Sequence, residues 1–167
     1  AFWETLRKYD VAIKYTKYPI QVDYEKMVAY VQSKGVRVFS AGGEKPIACF
    51  RRIPINPKGT FSAYQSYIQC PYMDCTQLRD GKLYRCGASA YSDLVNQALI
   101  AEKKEQHGLF KLSSQDYLDL FQVSSGEDVM DFISNAIPFC QYCDMKHIEN
   151  IPWEQSQGQI SEWVNFD

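Results

Sequence analysis

Five of the six cysteines fall into two groups whose spacing suits shared metal ligation, and no other feature constrains the fold as much. The first group is Cys70, Cys75 and Cys86, in CPYMDCTQLRDGKLYRC. The second is Cys140 and Cys143, in PFCQYC. A long stretch of chain separates the groups, so only folding can unite them. Zinc and iron–sulfur clusters both accept four thiolates. Disulfide scaffolds are usually shorter than 167 residues and denser than six cysteines. The pattern therefore predicts metal ligation in preference to a secreted, disulfide-bonded fold. Cys49, in PIACF, stands apart and reads as a small buried hydrophobe.

Hydrophobic residues make up 46% of the chain, enough for a core, and the length suits one domain or one domain plus part of another. A net charge of −2 gives no general pull toward nucleic acid or an anionic membrane, and Arg51-Arg52 is too short a basic run to change that. Neither nucleic acid nor a membrane is expected as a partner. No apolar run approaches the roughly 20 residues of a membrane span. The opening AFWETLRKYD lacks a signal-peptide layout and enters directly on a helical pattern, which predicts a fragment of a longer protein.

Local patterns predict an α/β fold (α+β overall). Phe2, Leu6 and Tyr9 share a helical face, and VAIKYT, residues 11–16, alternates as a strand. Asp23 is placed to cap a helix ending at Gly35, with a stripe of Tyr24, Met27, Val28 and Val31; VRVFS, residues 36–40, follows as a second strand. Strand, helix and strand at this spacing form a βαβ unit with parallel strands, which alone cannot cover both of its faces. Residues 41–69 read as linker and loop, with a short strand near Ile47 to Ile53. Asp80-Gly81 is a preferred hairpin turn, and its register pairs Leu78 with Leu83, Gln77 with Tyr84 and Cys75 with Cys86. A helical run after Cys86 places Leu94, Ala98 and Ala101 inward. Ser124 and Glu127 form a capping box for a helix carrying Val129, Phe132 and Ile133. Pro138 ends regular structure before Cys140, and Trp153 and Trp163 pack back onto the domain.

No Ser/His/Asp arrangement, phosphate loop or H-E-x-x-H pattern is present. His107 and His147 read as surface or outer histidines, although His147 is close enough to Cys143 in sequence to substitute as a ligand. Asp74 and Asp144 read as capping or solvated carboxylates. Arg79 and Arg85 flank the cysteines as cross-strand surface charge. The alternative is that they offset thiolate charge and raise a cluster's potential.

The run from Cys70 through Gly81 to Cys86, followed by Cys140-x-x-Cys143, resembles the auxiliary iron–sulfur domain of radical S-adenosylmethionine (SAM) enzymes. That domain is called SPASM, or twitch in its shortened form. The motif resemblance covers roughly residues 70–145, and the βαβ unit is similar to the last part of the partial (β/α) barrel that precedes such a domain. The resemblance implies two regions: residues 1–45 as the tail of that barrel, and 46–167 as the auxiliary domain of a hairpin plus helices. It implies one auxiliary [4Fe-4S] cluster with four cysteine ligands, serving electron transfer or substrate positioning in a cytoplasmic oxidoreductase. Cys86, Cys140 and Cys143 match the pattern, and the fourth ligand is Cys70 by family spacing or Cys75 by the hairpin register. The superfamily's C-x-x-x-C-x-x-C core run is absent from this sequence. SAM would therefore bind only in an N-terminal radical SAM core of the same chain, the expected partner, and this stretch alone would not catalyse radical chemistry. The substrate stays open among peptides, sugars and nucleotide-linked sugars. The alternative function is a structural zinc domain that uses the same thiolates for interaction.

Overall fold

In the computed structural model, which describes residues 1–43 and 45–167, helices alternate with short strands in small sheets, an α/β protein. The chain forms two units. One is Ala1–Arg51 with Asn150–Gln155, and the other is Arg52–Glu149 with Ser156–Asp167. The division expected between residues 45 and 46 falls inside the first unit.

The first unit opens with α1 (Phe2–Lys8), β1 (Ile13–Tyr15), α2 (Tyr24–Ser33) and β2 (Val38–Ser40). Asp23 caps α2, its Oδ1 accepting from the Lys26 amide at 2.9 Å. The helix carries the chain back so that β1 and β2 pair in parallel, Lys14 opposite Phe39. This is the βαβ unit that the periodicity predicts. Val31 and Val36 are its buried residues, while Val11, Ile20, Val22, Tyr30 and Phe39 are about half exposed. Next comes β3 (Cys49–Arg52), hydrogen-bonded to β7 (Glu149–Pro152) far along the chain. Trp153 secures that return. Its amide donates to the Ala48 carbonyl at 2.9 Å, and its ring stacks on Tyr18 with centroids 4.3 Å apart. Cys49 is exposed, contrary to expectation, because β3 alternates and Phe50 takes the inward position.

In the second unit, α3 (Ala63–Gln69) precedes a three-stranded antiparallel sheet of β4 (Gln77–Arg79), β5 (Lys82–Tyr84) and β6 (Tyr117–Asp119). Asp80 and Gly81 both have positive φ, 51° and 75°, as a tight two-residue hairpin requires. The register places Leu78 opposite Leu83 and Gln77 opposite Tyr84, as read from the sequence. The helical run after Cys86 is two helices, α4 (Gly87–Ala90) and α5 (Ser92–Ala101), interrupted at Tyr91. The interruption resets the helical phase. Val95, Ala98 and Leu99 therefore face the core, and the expected inward positions Leu94 and Ala101 lie outside. α6 (Gly126–Ser134) starts one residue later than the Ser124–Glu127 pattern predicts, on a capping box of Ser125 and Asp128. Asp128 accepts from both Ser124 and Ser125, and this shared carboxylate decides the register.

Ile55, Leu99, Phe110, Ile137, Phe139, Tyr142, Ile160 and Val164 form the core of this unit. Each such side chain contributes about 1.5–3 kcal/mol on burial. Phe139 and Tyr142 are core residues on either side of Cys140, so hydrophobic packing anchors the cysteine turn. Trp163 stays 45% exposed, less packed than expected. Among the described residues, no helix is long and apolar enough to cross a membrane.

Candidate metal centre

The PFCQYC segment is a 3-10 turn, Pro138–Tyr142, which Pro138 begins and does not terminate. A proline lacks the amide that a first helical position leaves unpaired, so it initiates such a turn at no cost in hydrogen bonds. Asp116, 1% exposed, holds the turn from one side. Its Oδ1 accepts from the Phe139 amide at 2.6 Å, while Oδ2 accepts from the Ser113 amide and hydroxyl at 2.7 and 2.8 Å. From the other side, the Asn56 amide donates to the Tyr142 carbonyl at 2.8 Å and the Phe61 amide to the Gln141 carbonyl at 3.1 Å. The Asp144 amide donates to Pro54 at 2.9 Å, and Ile55 bridges to Cys143. Residues 54–61, which read as a linker, are thus the strip that clamps the cysteine turn.

α3 joins this turn to Cys70. Ser66, buried on α3, donates its hydroxyl to the Cys143 carbonyl at 3.1 Å, and Cys70 ends the same helix one turn later. The Cys70 sulfur accepts from the Tyr72 amide at 3.4 Å. Cys86 arrives from β5 and is the first residue before α4, its sulfur 3.6 Å from the Ser89 hydroxyl. Cys75 behaves differently. The ladder ends at Gln77–Tyr84 because residues 71–74 form a turn, closed by the Cys75 amide on the Tyr72 carbonyl at 2.9 Å. The expected pairing of Cys75 with Cys86 therefore does not form, and Cys75 is exposed.

All six cysteines are free thiols. Cys70, Cys86, Cys140 and Cys143 lie close enough that charge on one raises the cost of ionising its neighbours, and Cys75 acts in the same way on Cys70. Burial pushes Cys70 up, Cys140 up to about 11, and Cys143 well above the usual thiol range. Arg85 pulls Cys70 and Cys140 the other way. It is 4% exposed and not the surface charge expected of it. Arg79 pairs with Asp93 at 2.6 and 2.8 Å instead, fastening the hairpin to α5.

Of the remaining candidates, His107 packs against Phe166, and His147 hydrogen-bonds Asp144 through Nδ1 at 2.6 Å. Asp144 is buried, caps a short 3-10 turn through the Lys146 amide and also accepts from Asn165.

Among the described residues, no group of three or more Cys, His, Asp or Glu side chains stands arranged to hold a metal ion. The four thiols are neighbours without a closed shell, and Cys70 and Cys86 rest on local hydrogen-bond partners. The donors are sulfurs, the kind of atom that thiophilic metals accept, but their described arrangement does not close around an ion. The supporting residues Asp116, Ser66 and Asn56 carry no local sequence signal. Arg85, adjacent to Cys86, is visible in sequence only as a charge beside a ligand. No family model matches this chain, and no curated protein matches it.

Proposed function

We propose that Cys70, Cys86, Cys140 and Cys143 hold one auxiliary [4Fe-4S] cluster, in what is the C-terminal part of a radical SAM oxidoreductase. The observation that carries this reading is the sorting of the cysteines. Three separate segments bring these four sulfurs within mutual electrostatic reach, beside a buried arginine, and leave Cys49 and Cys75 exposed. Cys70 is therefore the fourth ligand of choice over Cys75. A bound cluster supplies one-electron transfer. With four protein thiolates its shell is closed, which favours passing electrons over binding substrate directly. The residues of this chain position the sulfurs, exclude water through Phe139 and Tyr142, and balance charge. The βαβ unit is the end of a partial (β/α) barrel, and the catalytic partner is a radical SAM core within the same chain, acting on a peptide, sugar or nucleotide-linked sugar. Six free thiols suit a cytoplasmic protein.

Structural zinc is the rival occupant, and the same experiment separates them. The chain is purified without oxygen and reconstituted with iron and sulfide. A brown protein with about four irons and four sulfides supports the cluster. A colourless protein that refuses iron and retains one zinc overturns it in favour of the zinc domain.

A further inference from the structure

The 3-10 turn Pro138–Tyr142 runs straight into Cys143, and a turn of that kind eclipses side chains three positions apart. Phe139 and Tyr142 show the relation directly. Both are buried, and their ring centroids stand 5.0 Å apart. Cys140 and Cys143 repeat it one residue later, on a face where both are half-buried. The Cys143 amide donates to the Cys140 carbonyl at 3.1 Å, so one hydrogen-bonded turn spans the two. Three steps of about 2.0 Å set their Cα atoms roughly 6 Å apart, inside the span of about 4.4–6.8 Å that a disulfide bridges. The turn is also clamped from outside. Asp116 accepts from the Phe139 amide, the Asn56 and Phe61 amides donate to the Tyr142 and Gln141 carbonyls, and Ser66 donates to the Cys143 carbonyl. Cys70 and Cys86 belong to other elements, at the end of α3 and the start of α4.

We propose that Cys140 and Cys143 are a reversible dithiol–disulfide pair, oxidised by a low-molecular-weight disulfide of the glutathione class. The exchange balances in two steps. One of the two thiols, after losing its proton, attacks a sulfur of oxidised glutathione, forms a mixed disulfide and releases one glutathione thiolate. The other then attacks the mixed disulfide, closes the Cys140–Cys143 bond and releases the second glutathione thiolate. Two protein thiols are oxidised, one glutathione disulfide is reduced, and the two protons given up by the protein pass to the leaving thiolates. The clamp fixes the turn before the bond forms, so closing the bond orders little further chain, and the folded chain favours it over the unfolded one. Joined to each other, the two sulfurs have no thiolate to offer a metal. The pair itself needs no metal, so this inference stands apart from the function proposed above.

The test uses the full chain, reduced, freed of metal by a chelator and equilibrated in buffers of reduced and oxidised glutathione without oxygen. Remaining thiols are alkylated, and the bonds are located by mass spectrometry of a digest. The Cys140–Cys143 bond is expected to form first, equally in wild type, Cys49→Ser and Cys75→Ser, while Cys140→Ser stops at a mixed disulfide with glutathione. The equilibrium constant of that bond against glutathione is expected to be about tenfold larger in the folded chain than in urea. If Cys140→Ser folds poorly, the bond map of wild type and its comparison with urea decide the matter alone. An equal constant in urea overturns the inference, because nearness in sequence then accounts for the bond without the turn. A first bond between other cysteines, such as Cys70 and Cys86, overturns it as well. A wild-type chain that takes up neither iron nor zinc overturns the metal centre and leaves the pair standing, since its oxidation is followed on metal-free protein.

Discussion

Asp116 spends both of its oxygens holding one turn, and it is buried while doing so. Replacing it with alanine leaves the Phe139 and Ser113 amides without acceptors in a dry environment. Asp116→Ala is expected to destabilise the chain by about 1–3 kcal/mol, read as a lower urea midpoint, and to weaken metal uptake because Cys140 follows Phe139 directly. The thiols make a second prediction, one of pH. Their pKa values are raised in the folded, metal-free chain above the ordinary 9.0, Cys140 to about 11. The unfolded chain therefore ionises first as pH rises. The stability these thiols contribute is complete below about pH 9 and is lost as pH rises above it, the Cys140 share by about pH 11, measured as a falling urea midpoint. A metal-loaded chain, its thiols already deprotonated, should show no such decline. The grouping of the cysteines was legible in the sequence because it is local. The burial of Arg85 and Asp116 was not, since Tyr67, Asn135 and Phe139 reach them only through folding. Asp116 sits in SSQD, which looks like an ordinary turn.

The Asp-Gly hairpin shows what short-range chemistry settles by itself. Two positive φ values fix the turn, and the turn fixes the register as far as Gln77–Tyr84. Extending that register to Cys75 failed because residues 71–74 turn back on themselves before a fourth pair can form. Cys70→Ser is therefore expected to abolish cobalt binding, and Cys75→Ser to leave it within a factor of about two. The reverse result would reassign the fourth ligand. The loop reading of residues 54–61 was correct in composition but blind to role, because Ile55, Asn56 and Phe61 make their hydrogen bonds to residues distant in the chain. Gly59 shows how tightly the strip fits. Its φ is 61°, and a Cβ there would lie 2.7 Å from Cε1 of Tyr142. Gly59→Ala should cost more than about 1 kcal/mol by urea denaturation, through both backbone strain and the ring displaced beside Cys143. A midpoint equal to wild type would mean that the strip is loose. On α5, Ala98 faces inward as expected while Leu94 and Ala101 do not, for a similar cause, since periodicity assumes an unbroken helix and Tyr91 breaks it.

The βαβ unit could be read from the sequence because its strands, cap and crossover follow one another closely. The return of residues 150–155 to that unit could not be, since nothing in ENIPWE marks Ala48 or Tyr18 as its target. Metal binding should be felt in one unit only. On adding cobalt to the reduced chain, amide exchange is expected to slow around Cys70, Cys86 and residues 140–143, with the amides of residues 1–40 unchanged. Uniform slowing throughout would contradict that confinement. The interleaving also bears on biosynthesis. Trp153 closes the first unit, while Ile160 and Val164 complete the core of the second. A ribosome making this chain therefore releases neither unit in finished form until those last residues emerge. Both must wait with apolar surface uncovered, which makes nascent chains stalled before residue 150 natural clients for chaperones.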